Sequence, residues 1–333
     1  MRNAYVILAH KDPEQVKRLV DHLDSDAVFV FHICQNASDE TFAEFKKLLN
    51  KSNHYFCQRI RSFWGEIGLV QATLNALNEL DQSNEQFDYV HLLSGQDFPI
   101  KSEEYRNEFL TKNQGKEFLL NWKFYPIDPN NQEDLEGNPW AKSKHFQSKR
   151  LTHYYIRHKG EKYVIPEKYD TRFKEMSAPR ALAHFVKGIP DYLKQKKLTY
   201  KWNEFKFTRS LPYPKPLPDL KFWGGSHWFS ITPKAVSYFI EFDRNDTFLK
   251  KFYEQVLLPD ESYFQTVLLN SPLKDDIVNT NLREIVFPEK AANPIFLEDE
   301  HFDLLQHSEA LFARKFDKEL SKDVLHRIEK ELL

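Results

Sequence analysis

Two acidic stretches and one basic stretch carry the residue types most able to do chemistry. "YVHLLSGQDFPI" (89–100) runs apolar as far as Ser94-Gly95 and then presents a lone carboxylate, Asp97. "LLPDESYFQTVLLN" (257–270) places Pro259, Asp260 and Glu261 where an amphipathic helical pattern begins. An acidic residue there can act as a base, or it can simply answer the positive end of the helix dipole. The third stretch, "KSKHFQSKRLTHYYIRHKGEK" (142–162), interleaves Lys142, Lys144, Lys149, Arg150 and Arg157 with Phe146, Tyr154 and Tyr155. Such a pattern fits a solvated helix face, a nucleic-acid surface or a site for an anionic or sugar acceptor.

The elements around these residues read as an α/β layer. "AYVILA" (4–9) and "AVFVFHI" (27–33) are continuous apolar runs, followed later by "DYVHLL" (88–93) and "EFLLNW" (117–122). Helical patterns separate them: one after Asp12-Pro13 carrying Val16, Leu19, Val20 and Leu23, one from Ser38, one through Val70, Leu74 and Leu77, and one from Ser102. Buried strands alternating with helices predict a central, mainly parallel sheet flanked by helices. Ligands bind such sheets at the carboxyl ends of the strands, which places His10, His32 to Cys34 and Ser94 to Asp97 on one rim. Each of these is also what an ordinary polar loop residue looks like at the end of a buried strand.

The middle of the chain, about 123–220, differs in character and ends in "LPYPKPLPDL" (211–220), which reads as an extended linker. Beyond it, "FWGGSHWFSI" is aromatic and hinged on Gly224 and Gly225, and Thr232-Pro233 reads as a capped helix start carrying Val236, Phe239 and Ile240. The tail from Phe302 onward reads as helical.

Composition narrows the function classes. The 333 residues are 41% hydrophobic, enough for a sizeable core, and 47 basic against 49 acidic residues leave a net charge of −2. No global field for nucleic acid follows from that balance. The two cysteines, Cys34 and Cys57, read as reduced thiols, and no apolar run is long enough for a membrane span, so a soluble cytoplasmic protein is expected.

In order, "AYVILAHKDPEQVKRLVDHL", "FWGEIGLVQATLNAL", "YVHLLSGQDFPIKS", "FWGGSHWFSIT", "PDESYFQTVL" and "LFARKFD" resemble the core-2/I-branching N-acetylglucosaminyltransferase and peptide O-xylosyltransferase family. The resemblance spans nearly the whole chain and is weakest over 123–220. It implies a single domain over 1–333 with the Rossmann-like A-type glycosyltransferase fold. Residues 1–122 would form the nucleotide-sugar half, 123–220 a variable acceptor-side insertion, and 221–333 the catalytic and diphosphate-binding half.

The implied activity is metal-independent, inverting transfer of GlcNAc or xylose from a UDP-sugar to a glycan hydroxyl, with no cofactor. The family lacks the paired aspartates that hold a metal, and a lone Asp97 is a poor divalent site because hard cations need several oxygen ligands. Asp97 would then orient the donor or its own loop. The family's base corresponds to Glu261, and its diphosphate-binding cations to Lys315 and Arg283, with Arg314 a competitor. Ala9, His10 and Arg61 are nucleotide-side candidates, and Gly225, Ser226, His227 and Trp228 are candidates for the pocket wall.

One departure stands out. Where the family has His-x-Asp after the second strand, "FHICQN" puts Cys34 at the aspartate's place, and a thiol is a weak substitute for a carboxylate. Either Gln35 or Asn36 takes over, or the nucleoside is held differently. The expected setting is bacterial surface-polysaccharide synthesis on the inner membrane face, with a glycan or lipid-linked acceptor, possible peripheral membrane contact and no nucleic-acid partner. The alternative is a non-catalytic nucleotide-sugar or carbohydrate-binding protein on the same fold.

Overall fold

The apolar runs become strands whose order fixes the rim. The computed structural model describes residues 1–125, 131–135, 138, 150–151, 154–158, 161–165, 220–288 and 293–333. In chain order the first half contains β1 (Asn3–Ala9), α1 (Pro13–Asp21), β2 (Val28–Ile33), α2 (Asp39–Leu48), β3 (His54–Phe56), α3 (Gly68–Gln82), β4 (Tyr89–Ser94), β5 (Asp97–Pro99), α4 (Glu103–Lys112) and β6 (Glu117–Tyr125). Then come β7 (Tyr154–His158), β8 (Glu161–Ile165), β9 (Phe222–Ile231), β10 (Ile277–Val278), β11 (Arg283–Ile285) and β12 (Phe312–Arg314).

The central sheet runs β10-β6-β9-β4-β1-β2-β3. β1 pairs in parallel with β2 and β4, β2 with β3, and β6 with β10, whereas β9 is antiparallel to both neighbours. The expected mainly parallel α/β sheet is therefore present. Its continuous apolar strands bury both faces: Ala4, Val6 and Leu8 join a core with Leu74, Leu77, Phe239 and Phe264, while Tyr5, Ile7 and Ala9 join one with Leu19, Phe31 and Phe312.

Helix starts follow local chemistry only in part. Ser38 and Ser102 accept hydrogen bonds from the Thr41 and Tyr105 amides, at 3.2 and 3.3 Å. Asp12 and Thr232 occupy N-cap positions without capping: Asp12 is left-handed at φ 54 and pairs with Lys11, and Thr232 bonds the buried Glu117 carboxylate.

Two expectations need correction. Within the basic aromatic stretch, Arg150 and Leu151 are helical, but Tyr154–His158 and the residues from Glu161 form an antiparallel hairpin, β7 with β8, in place of a continuous helix face. The tail is not helical throughout: β12 separates the helices Phe302–His307 and Lys322–Glu331 and forms a small sheet in the order β11-β12-β5. "FWGGSHWFSI" is a full ten-residue strand. The proline-rich segment 211–219 lies outside the described residues. Both cysteines are free, and among the described residues no helix is long and apolar enough to cross a membrane.

Candidate active site

The carboxyl ends of β1, β2 and β4 meet as the alternation required. The Cys34 amide donates to the Ala9 carbonyl at 2.8 Å, and the Gly95 amide to the Leu8 carbonyl at 3.0 Å, so Ala9, Cys34 and the Ser94 loop are neighbours. Asp97 closes that loop by accepting from the Ser94 amide at 2.8 Å and from the Ser94 hydroxyl. Its side chain is buried, and its Oδ2 faces Arg314 Nε at 3.7 Å across the antiparallel β5/β12 pair.

Arg314 is held on its other side by Trp228, with the guanidinium carbon 4.1 Å from the ring centroid. Burial lowers its pKa, an effect Asp97 opposes. Lys315 follows through a cis peptide and is partly exposed. Burial, then Arg314 and Lys11, lower its pKa. His10 is lowered by its own desolvation and then by Lys11. Lys11, Arg314 and Lys315 thus form a cationic rim at the end of β1, with His10 a neutral neighbour at pH 7.

Two residues with no motif signal hold this rim in place. Gln15 donates from one amide nitrogen to the Gly95 carbonyl at 3.0 Å and to the Phe316 carbonyl at 2.9 Å, joining α1 to both the Ser94 loop and the β12 strip. Arg59 donates to the carbonyls of Ile33, Cys34 and Ala37, fixing the loop after β2. Lys11 was likewise not among the residues the sequence singled out.

The other nucleotide-side candidates are less central. The Cys34 thiol is buried, 3.3 Å from the Ser62 hydroxyl, and accepts from the Asn36 amide at 3.5 Å. Asn36 itself spends its side-chain amide on the Ser62 carbonyl at 2.9 Å, and the Gln35 amide donates to the Ile60 carbonyl. Arg61 lies exposed in the loop before α3.

Arg283 has a different occupation from the one expected. It is buried and donates to the Ser230 hydroxyl and to the carbonyls of Leu92, Phe229 and Asn281, with Phe312 stacked at 5.0 Å. Its Nη groups are committed to joining β4, β9 and β11. Those bonds give it a structural task at the sheet junction, beside the candidate diphosphate role that the family resemblance implies. Burial lowers its pKa to about 9.

On the second side of the site, Pro259–Glu261 forms a 3₁₀ turn ahead of the helix Tyr263–Leu269. Asp260 does not cap. It is buried, its Oδ2 lies 4.0 Å from His227 Nδ1, and its Oδ1 has no hydrogen-bond partner among the described residues. Glu261 is ion-paired with Arg150 at 2.8 Å. Burial raises both acids; Glu261's charge adds to the rise at Asp260, while Arg150 pulls Glu261 back down.

The two sides meet through consecutive residues of β9. His227 faces Asp260 and bonds the Thr73 hydroxyl at 3.0 Å, while Trp228 underlies Arg314. Burial, and then Arg314, push the His227 pKa down to about 3, so it is neutral. His227 is thus a buried link and not an exposed pocket wall. Ser226 is half-buried and its carbonyl accepts from Gln265. Gly225 answers packing: a Cβ there would sit 1.9 Å from the Leu120 carbonyl oxygen and 2.7 Å from Gln265 Nε2. Among the described residues no cluster of three or more His, Cys, Asp or Glu stands ready to hold a metal ion.

Comparison with known proteins decides the family. The Core-2/I-Branching enzyme model matches residues 3–126 and 146–297, most of the chain. The chain belongs to the core-2/I-branching enzyme family. Glu261 and Arg150 lie within the matched stretches; Arg314 and Lys315 lie beyond them. Rat Xylosyltransferase 2 is 24% identical over 349 aligned residues, covering 98% of this chain and 33% of its own. Drosophila melanogaster Xylosyltransferase oxt is 24% identical over 341, covering 96% and 32%. Rat Xylosyltransferase 1 is 32% identical over 127 residues, 33% of this chain and 15% of its own. The chain thus spans about a third of the length of the relatives that it matches end to end. Among solved structures, the Saccharomyces cerevisiae mannosyltransferase Ktr4p aligns at a TM-score of 0.30 and 10% identity, over 82% of this chain and 67% of its own.

Proposed function

We propose that this chain is an inverting glycosyltransferase that moves a sugar, GlcNAc or xylose, from a UDP-sugar to a glycan hydroxyl. One observation carries the reading: a carboxylate side, Asp260-Glu261, and a cationic side, Arg314-Lys315, are linked through the adjacent residues His227 and Trp228. Glu261 removes the acceptor hydroxyl's proton. The acceptor oxygen then bonds the anomeric carbon as the bond to the diphosphate breaks, and the leaving electron pair stays on the diphosphate. Arg314 and Lys315 stabilise that growing charge, which favours the transition state over the bound ground state. Lys11 extends the field toward the nucleotide, His10 offers it a neutral hydrogen-bonding ring, and Asp97 acts through its loop and Arg314. The acceptor enters from the side of Arg150, which pairs with Glu261. A bacterial surface glycan assembled on a cytoplasmic-face carrier suits this role.

The test is nucleotide release from UDP-xylose and UDP-GlcNAc in the presence of EDTA. Wild type, Glu261→Gln and Lys315→Ala are compared, with and without added glycan. Release from one donor, unaffected by EDTA and reduced about 10²–10⁴-fold in Glu261→Gln, supports the reading. EDTA-sensitive release would overturn the cationic leaving-group account. A buried thiol at Cys34 favours a second reading, a nucleotide-sugar-binding protein, which tight UDP-sugar binding with no turnover would support.

A further inference from the structure

Glu261 and Asp260 are adjacent buried or half-buried acids, yet their surroundings differ. Glu261 has a cation at 2.8 Å and a side chain 34% exposed; Asp260 is 10% exposed and faces a neutral histidine. Two neighbouring carboxyls away from water do not both ionise cheaply, and the charge settles on the one with the counter-ion and the water. Resting on the glycosyltransferase reading, we propose that Arg150 is a positioning residue that holds Glu261 as the ionised base while Asp260 carries the pair's single proton.

The groups facing the pair agree with this arrangement. Arg150 approaches from the segment between β6 and β9 and touches Glu261 across 111 positions of sequence. From β9 comes His227, held neutral by its burial and by Arg314 beyond it. From α3 and the helix Tyr263–Leu269 come the uncharged Thr73, which bonds His227, and Gln265, which bonds the Ser226 carbonyl. A protonated Asp260 also relieves its buried Oδ1, since an unpartnered carboxylate oxygen costs more than a neutral one. Arg150 fixes one Glu261 oxygen, and among the described residues the other has no hydrogen bond and can take the acceptor hydroxyl.

The experiment is a carboxyl-labelled NMR titration of the full chain. Asp260→Asn and Glu261→Gln assign the signals, and Arg150→Gln and Arg150→Lys serve as the test variants. Glu261 should ionise below Asp260 in wild type. In Arg150→Gln its titration should rise by about one pH unit, and the acid limb of donor turnover should move with it, an about tenfold loss well below the midpoint. Arg150→Lys should restore most of that shift.

Glu261 titrating above Asp260 would overturn the proposal. So would an Arg150→Gln variant that is folded, loses rate equally at every pH and leaves Glu261's titration unchanged. If Arg150→Gln fails to fold, Arg150→Lys decides through the same titration. The predicted titration order without turnover of any donor would sink the glycosyltransfer reading while leaving the shared proton and its counter-ion in place.

Discussion

Asp97 and Arg314 face each other across the β5/β12 pair, Oδ2 to Nε 3.7 Å, with Trp228 stacked against the far side of the guanidinium. The carboxylate that ends the SGQD loop therefore orients a cation from near the other end of the chain. Loop and cation should behave as one unit. In UDP binding measured by calorimetry, Asp97→Asn and Arg314→Ala should each weaken affinity, and the double variant should fall short of the sum by about 0.5–3 kcal/mol. Additive losses would mean that Asp97 acts on its loop alone.

Arg283 gives the opposite expectation. Its donors serve three backbone carbonyls and a hydroxyl inside the sheet junction, so Arg283→Met should leave those acceptors unsatisfied. The expected cost is about 3–5 kcal/mol in denaturant unfolding. Under conditions where the variant is folded, its UDP affinity should stay within about threefold of wild type, under 1 kcal/mol. A stable variant with UDP binding abolished would restore Arg283 to the diphosphate site.

Gly225→Ala tests packing against substrate access. With Leu120's carbonyl oxygen 1.9 Å from where the methyl carbon would lie, β9 must separate from β6. Loss of about 1–3 kcal/mol or more is expected in urea unfolding. A normal midpoint with impaired acceptor use would reverse that assignment.

His32 supplies a pH prediction with a definite sign. Its Nε2 accepts from the Ile60 amide at 3.2 Å, and burial lowers its pKa from 6.5 to about 4. Between those values the unfolded chain takes up a proton that the folded chain refuses, so this residue's share of stability falls as pH falls, by about 1.4 kcal/mol per unit. Above 6.5 it contributes no slope. His32→Gln keeps an acceptor for Ile60 and removes the titration. From pH 7 to 4.5, wild type should lose about 2–3 kcal/mol more stability than the variant. Parallel curves would show that His32 takes up its proton as readily in the fold as in the unfolded chain.

The sequence shows the sheet's parallel part clearly because β1, β2 and β4 bury both faces and so read as unbroken apolar runs. It hides β5, β11 and β12, since strands of three residues leave no periodicity to read. Ser38 and Ser102 cap as their residue types suggest, whereas Asp12 and Asp260 do not. Whether a carboxylate caps depends on the backbone entering the helix and on rival partners such as Lys11. Glu261 and Lys315 stand out as candidates from their local motifs. Arg150 is not, because its partner is set by tertiary packing across 111 residues. Gln15 and Arg59 are likewise visible only once the carbonyls that they reach have been brought together.

Gln15 reaches Phe316 across 301 positions of sequence, and β5 finds its β12 partner only in the last part of the chain. During synthesis from the amino end, β1, β2 and β4 can assemble early, but the strip bearing Arg314 and Lys315 leaves the ribosome after every strand of the central sheet. The cationic rim is therefore finished after its scaffold, through loop closures as long as 301 positions. A nascent chain stopped before Phe312 holds every strand of the central sheet but neither Arg314 nor Lys315, so the sheet exists for a time without the charges that later line its edge.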